Sequence, residues 1–189
     1  MILLLDLCDQ ERPLSRDEFV LPIAHIVQNT NKPYTIRHYE DLPFQDSEKI
    51  SCIILCGNAL KDNRFLRNMG EFLWLREGLI PILGICAGMQ VISKVWGGEI
   101  EKGAEIGMTT VRAIEKDPLL EGKEEFTAYE LHNFSPLPPD SFQVLAISSQ
   151  YPQMIRHQSL PIYGVLFHPE VRNEWVVERF LHLFMEEMN

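Results

Sequence analysis

Cys86 lies in the segment ILGICAGMQ, flanked two residues away on either side by Gly84 and Gly88, where an apolar run meets a stretch of helical spacing. Such a junction presents a nucleophile. A side chain at a tight strand-to-helix turn is held in a strained backbone region and projects from the carboxyl edge of a sheet, and the glycines remove Cβ atoms that would clash. The same turn sets Cys86 at the amino end of a helix predicted from Ala87 to Trp96, where the positive end of the helix dipole favours a thiolate. A free cysteine also packs as a small hydrophobe, so this pattern alone leaves the chemistry open.

Much later in the chain, PIYGVLFHPE ends a second apolar run with His168, Pro169 and Glu170. A cysteine nucleophile needs an imidazole beside it, and the imidazole needs an acceptor on its other nitrogen to fix its tautomer. His168 and Glu170 supply those two roles. Two residues apart in an extended segment they point the same way, with Pro169 fixing φ between them.

With these two motifs in this order and approximate spacing, the chain resembles the class I (triad) glutamine amidotransferases, whose glutaminase domains carry G-x-C-x-G-x-Q and a late H-P-E. The resemblance spans nearly the whole chain. It implies Cys86 as nucleophile, His168 as base and Glu170 as the residue that orients it, with glutamine as substrate. It further implies backbone donors for the oxyanion at Ala87 and in the loop after the third strand, at Asn58, with Gly57, Gln90 and Glu105 on the substrate side. Gln90 stands four residues after Cys86, about one helical turn, so its carboxamide returns toward the same helix end. It also suits the role of satisfying an adjoining loop.

The loop after the third strand departs from the family pattern. Family members commonly have two consecutive glycines and a proline, whereas this chain reads Cys56, Gly57, Asn58, Ala59. Asparagine tolerates positive φ better than other non-glycine residues, which would let Asn58 turn its amide inward. His132, in YELHNF, matches a loop histidine common in related enzymes, and a structural role suits it equally. His25, His38, His157 and His182 read as structural or solvent-exposed.

The elements that must position these groups alternate along the chain. Strands are predicted at Met1 to Leu7, Tyr34 to Tyr39, Ser51 to Cys56 and Ile80 to Ile85, with helices at Phe19 to about Gln28 and Arg64 to Glu77. After the nucleophile helix come short strands around Thr109 to Ile114, Phe126 to Leu131, Val144 to Ser148 and Met154 to His157. Ile162 to Phe167 then returns to the core, and an amphipathic helix from about Glu174 to Met188 closes the chain. This is a doubly wound α/β fold: a mainly parallel sheet with helices on both faces and a small antiparallel region before the last helix.

Its 189 residues, 46% of them hydrophobic, suit one domain over 1–189 with a substantial core. The apolar runs are far shorter than the ~20 residues of a membrane span, and the start MILLLDLCDQ has no basic leader, so a cytoplasmic protein without membrane attachment is expected. The net charge of −10 argues against nucleic-acid binding. Cys8, Cys52, Cys56 and Cys86 show no zinc-like pairing with histidines and are expected to be free thiols. No metal and no cofactor are expected.

The expected activity is hydrolysis of glutamine to glutamate and ammonia. The sequence ends one helix after Glu170, with no domain to activate an acceptor, so ammonia is expected to pass to a separate synthetase chain. Two other readings stay open: a stand-alone γ-glutamyl amide hydrolase using the same triad, and a non-catalytic regulatory subunit that keeps the fold.

Overall fold

The first strand, β1 (Ile2–Asp6), is buried at every position, because both faces of a central parallel strand are covered. Its side chains divide by parity: Ile2 and Leu4 enter one apolar cluster, Leu3 and Leu5 another on the opposite face. Those two clusters are the two layers of core. The computed structural model describes all residues except 12, 42–48, 78 and 186–189.

Along the chain, β1 is followed by α1 (Pro13–Phe19), α2 (Leu21–Asn29), β2 (Tyr34–His38), β3 (Cys52–Leu55), α3 (Arg64–Arg67), a 3-10 stretch (Met69–Arg76) and β4 (Ile82–Ile85). Then come α4 (Ala87–Val95), β5 (Glu99–Ala113), β6 (Glu125–Leu137), β7 (Phe142–Ile147), β8 (Pro152–His157), β9 (Ile162–Val165), α5 (Pro169–Arg172) and α6 (Trp175–Met185). The strands form one sheet in the order β2-β1-β3-β4-β9-β8-β7-β5-β6. Neighbours from β2 through β9 run parallel, and those from β9 onward run antiparallel. On one face α2 and α6 bury Ile23, Val27, Val177 and Phe180; on the other, α4 and the 3-10 stretch bury Met89, Ile92, Phe72 and Leu75. Among the described residues, no helix is long and apolar enough to cross a membrane.

The doubly wound reading holds, with four differences of detail. The helix expected from Phe19 is α2, which starts at Leu21; a further helix, α1, precedes it and is separated from it at Val20, because Pro22 lies in the first turn of α2 and cannot continue a helix from before it. The helix expected at Arg64 to Glu77 is α3 plus the 3-10 stretch; Asn68 and Gly70, both weak helix formers, lie at the change. The antiparallel region is larger than expected, since β5 and β6 are strands of 15 and 13 residues. Their outer faces meet solvent and mix charged residues with exposed Ile106, Met108 and Leu137, so apolar runs mark only part of their length. The closing helix begins at Trp175, and residues 186–188 of the expected helix lie outside the described residues.

The junction of β4 and α4 is packed without room for side chains on its glycines. A Cβ on Gly84 would come 2.5 Å from the Gly88 carbonyl carbon, so only glycine lets the helix start this close to the strand. Leu83 beside it is fully buried, and truncating it to alanine would cost about 2–5 kcal/mol and loosen the strand that carries Cys86.

Candidate active site

Cys86 has φ 48° and ψ −102° and stands immediately before the first residue of α4. Among the described residues only Asn31 shares a positive φ outside glycine. Such a backbone costs about 1–3 kcal/mol and persists only where its surroundings over-determine it. Here Cys86 N–H donates to Val165 O at 2.8 Å, and Gln90 N–H donates to Cys86 O at 3.1 Å. The strand on one side and the helix on the other hold the turn.

His168 follows β9, is fully buried, and donates its own N–H to Tyr129 O at 2.9 Å. Its Nδ1 lies 2.7 Å from Glu170 Oε1. The two residues are not both extended, as the sequence suggested: His168 has φ −99° and ψ 95°, and Glu170 is in the first turn of α5. Proline is favoured at the first helical position, so Pro169 starts the helix and curls the carboxylate back to the ring. Phe19 packs against the imidazole with ring centroids 5.3 Å apart.

Gly57 brings the two motifs together. A Cβ built on it would lie 2.8 Å from His168 Cε1 and 3.6 Å from Cys86 Cβ, so thiol and imidazole meet over this bare backbone. With Nδ1 taken by Glu170, Nε2 has no hydrogen-bond partner among the described residues and is the nitrogen left for Cys86. Burial opposes a charged imidazole, but Glu170 and the Cys86 sulfur outweigh it and hold His168 well above the ordinary histidine range. The other three thiols are kept protonated. Burial pushes Cys52 up to about 12, and burial together with Asp6 also raises Cys8 and Cys56 well above the ordinary thiol range.

Ala87 is the first residue of α4, so its N–H belongs to the set a helix leaves without internal partners. Asn58 is buried and its Nδ2 donates to Asp62 O at 2.9 Å, which braces the loop. Its backbone is not at positive φ, so the inward turn allowed for asparagine is not the conformation adopted.

Between the 58–63 loop and β6 a crevice of about 10 Å³ borders Cys86, Asn58, Gln90 and His132, room for roughly one water molecule. Two hydrogen bonds narrow it: Gln90 Nε2 donates to Phe134 O at 3.1 Å, and Asn133 Nδ2 donates to Leu60 O at 3.1 Å. Gln90 thus borders the crevice with its amide engaged by the neighbouring segment. Leu131 O lies 3.8 Å from Cys86 Sγ. Sequence reasoning missed Leu131, Asn133 and Phe134, because two of these contacts run through backbone carbonyls, which carry no residue signature.

Glu105 is not brought to the crevice. Its Oε2 accepts from Ser148 Oγ at 3.0 Å and from Gln153 Nε2 at 2.8 Å, on the inner face of β5. There it meets His132, whose Nε2 is 3.7 Å from Glu105 Oε2 and 3.4 Å from Glu130 Oε2. Burial raises Glu130 above the usual carboxylate range, against the pull of His132. The sequence singled out no metal-ligand set, yet the fold gathers these three residues. The available signal was the inward phase of β6, where Ala128 is followed by Glu130 and His132.

A buried thiol on a strained elbow, facing an imidazole braced by a carboxylate at the edge of a doubly wound sheet, defines a cysteine amidohydrolase arrangement. The glutamine amidotransferase class-I family model matches residues 15–188, and the chain belongs to that family. A subunit of the glutamine-hydrolyzing GMP synthase of Methanopyrus kandleri is 32% identical over 181 residues, covering 91% of this chain and 90% of that protein. The subunit of the same name from Saccharolobus solfataricus is 33% identical over 148 residues, 75% of this chain and 77% of the relative. A crystal structure of a Thermoplasma acidophilum protein described as a GMP synthase subunit shares the fold with a TM-score of 0.85 at 24% identity, covering 98% of this chain and 94% of that one.

Proposed function

We propose that this chain is the glutaminase subunit of a two-chain GMP synthase, working through Cys86, His168 and Glu170. The observation that carries the reading is the convergence of the Cys86 elbow and the His168–Glu170 pair over Gly57. The names of the relatives, each one subunit of a GMP synthase, support the separate synthetase partner. A single sheet running through the described chain supports one domain over 1–189. A cytoplasmic location suits four unpaired thiols.

In this reading Cys86 Sγ attacks the side-chain carbonyl carbon of glutamine. The oxyanion is met by the N–H of Ala87 and by an amide of the 57–59 loop, Asn58 being the residue expected there. His168, protonated at Nε2, gives its proton to the departing ammonia as the C–N bond breaks and a glutamyl thioester remains. The neutral ring then takes a proton from water, whose oxygen attacks the thioester to yield glutamate and restore the thiol. Glu170 keeps the ring in one orientation through both steps. Gly57 and Gln90 border the substrate once the crevice opens.

The test combines the chain with the GMP synthase synthetase chain of its own source and follows glutamate release and GMP formation together. Glutamine-dependent formation of GMP is expected, and Cys86→Ala is expected to abolish it while ammonia-dependent formation persists. Glutamate release without GMP would overturn the GMP assignment but leave the glutaminase. Full glutamine use by Cys86→Ala would overturn the triad.

A further inference from the structure

We infer that Glu105, Glu130 and His132 form a binding site for one divalent cation of zinc's kind, set between β5 and β6. The inference does not depend on the glutaminase reading.

Strand geometry makes the site. Glu130 and His132 are two apart in β6 and share its buried face, and Glu105 is the residue directly opposite His132 on β5. A register shift between Lys102 and Glu105 interrupts the ladder next to the site, the kind of irregularity that re-aims a side chain. As a result one ligand atom from each residue lies within 4.8 Å of the others. His132 Nε2 is 3.4 Å from Glu130 Oε2 and 3.7 Å from Glu105 Oε2. A tetrahedral zinc with bonds of about 2.0–2.1 Å separates its ligand atoms by about 3.3–3.4 Å, which the two His132 distances nearly meet, and binding draws Glu105 and Glu130 in from a separation of at most 4.8 Å.

The polar atoms themselves point to a ligand. Glu130 is fully buried and neither of its oxygens has a hydrogen-bond partner among the described residues; nor does His132 Nε2, on a residue 2% exposed. A buried carboxylate in that state is costly. One proton shared between Glu130 and His132 would satisfy a single oxygen and leave the other without a partner. A cation held by both oxygens of Glu130, by Nε2 and by Glu105 satisfies all of them. Two carboxylates and a neutral imidazole also balance a dication in charge.

The groups behind the site match those that orient metal ligands. His132 Nδ1 lies 2.9 Å from Gly103 O, an acceptor only, so Nδ1 carries the hydrogen. In the neutral ring that leaves a lone pair on Nε2 facing the two carboxylates. Glu105 is steadied by Ser148 and Gln153. An imidazole among the ligands favours zinc over magnesium or calcium, which prefer oxygen alone. The ion would fix the β6 segment whose carbonyls at Leu131 and Phe134 meet Cys86 and Gln90.

The experiment uses the tag-free full chain carrying Cys86→Ala, so that no thiol stands beside His168 to form a second metal site with it. After chelator treatment and dialysis against zinc, about one equivalent is expected by elemental analysis, with a rise in Tm on zinc addition. Adding Glu130→Gln to the same background is expected to weaken zinc binding by about tenfold or more and to remove that rise. Cobalt is expected to give the visible bands of a four-coordinate nitrogen and oxygen site without a thiolate charge-transfer band. Should Glu130→Gln fail to fold, the stoichiometry and cobalt spectrum of the Cys86→Ala protein decide the matter alone. Absence of stoichiometric zinc, equal binding with Glu130→Gln, or a thiolate band from Cys8, Cys52 or Cys56 would overturn the site.

Discussion

His168 and His132 are buried imidazoles, each with a glutamate two residues away, in HPE and ELH respectively. The local spacing is the same and the outcome is not. Pro169 ends the extended segment after His168, so Glu170 sits in a helical turn and closes on Nδ1 at 2.7 Å, leaving Nε2 to a thiol. Glu130 and His132 stay within one strand, where Nδ1 goes to a backbone carbonyl and Nε2 looks toward two carboxylates at longer range. A pair of residue types thus acquires its chemistry from the nitrogen each partner reaches and from the third group that faces the other nitrogen.

The sharpest way to break this comparison is to remove each ring in turn. His168→Ala is expected to lower glutamate release by about 10³–10⁴-fold, whereas His132→Gln should cost less than about tenfold. Equal losses would mean that the two imidazoles share the base role. Glu170→Ala should lose less than His168→Ala, about 10–100-fold, since water can partly replace an orienting carboxylate.

The pH profile sharpens the same contrast. Because Glu170 and Cys86 outweigh burial and hold the His168 pKa above the ordinary 6.5, the imidazolium persists to higher pH than that of an ordinary histidine. Its stabilising effect is complete below about 6.5, where folded and unfolded chains both carry the proton, and is lost as pH rises through the raised folded value. Denaturant titrations at rising pH should therefore show falling stability from this group. The alkaline limb of kcat/KM should move to lower pH in Glu170→Ala.

Steric contact offers a smaller perturbation. Gly57→Ala places a methyl 2.8 Å from His168 Cε1, so the ring must shift away from Cys86; about tenfold loss in kcat is expected, with circular dichroism unchanged. The smallest effect concerns the oxyanion loop. Asn58→Gly should raise basal glutamate release about fivefold, because glycine lowers the cost of a positive φ by about 1 kcal/mol. An unchanged rate would mean that the loop acts in the conformation it already has.

Much of this architecture is legible in the residues. Continuous apolar runs such as LLL after Ile2 and ILGI before Cys86 mark central strands because both faces are covered, and glycines around a reactive residue mark the elbow because the packing admits no Cβ. The strands β5 and β6 are only half legible, since one face meets water and the register shift near Glu105 interrupts the alternation. The break at Val20 hides behind a helical periodicity that runs through it. At the site, Cys86, His168 and Glu170 could be singled out from side-chain type and order, and the fold brings them together. The crevice was not legible, because its walls are carbonyls and amides assembled from segments far apart in sequence, and neither was the gathering of Glu105 with Glu130 and His132 across two strands.

If glutamine enters through the narrow crevice beside Cys86, the population of an open state sets how well it binds. On the proposed reading, a pocket with room for a single water takes glutamine only in molecules where the crevice, bridged by the Asn133 to Leu60 bond, has opened. Apparent affinity is then the intrinsic affinity scaled by the open fraction, so an open population of about one in a hundred weakens binding about a hundredfold. A partner that holds the loop away restores that factor without touching the reacting atoms. On that reading release of nitrogen from the amide is slow alone and faster beside the synthetase.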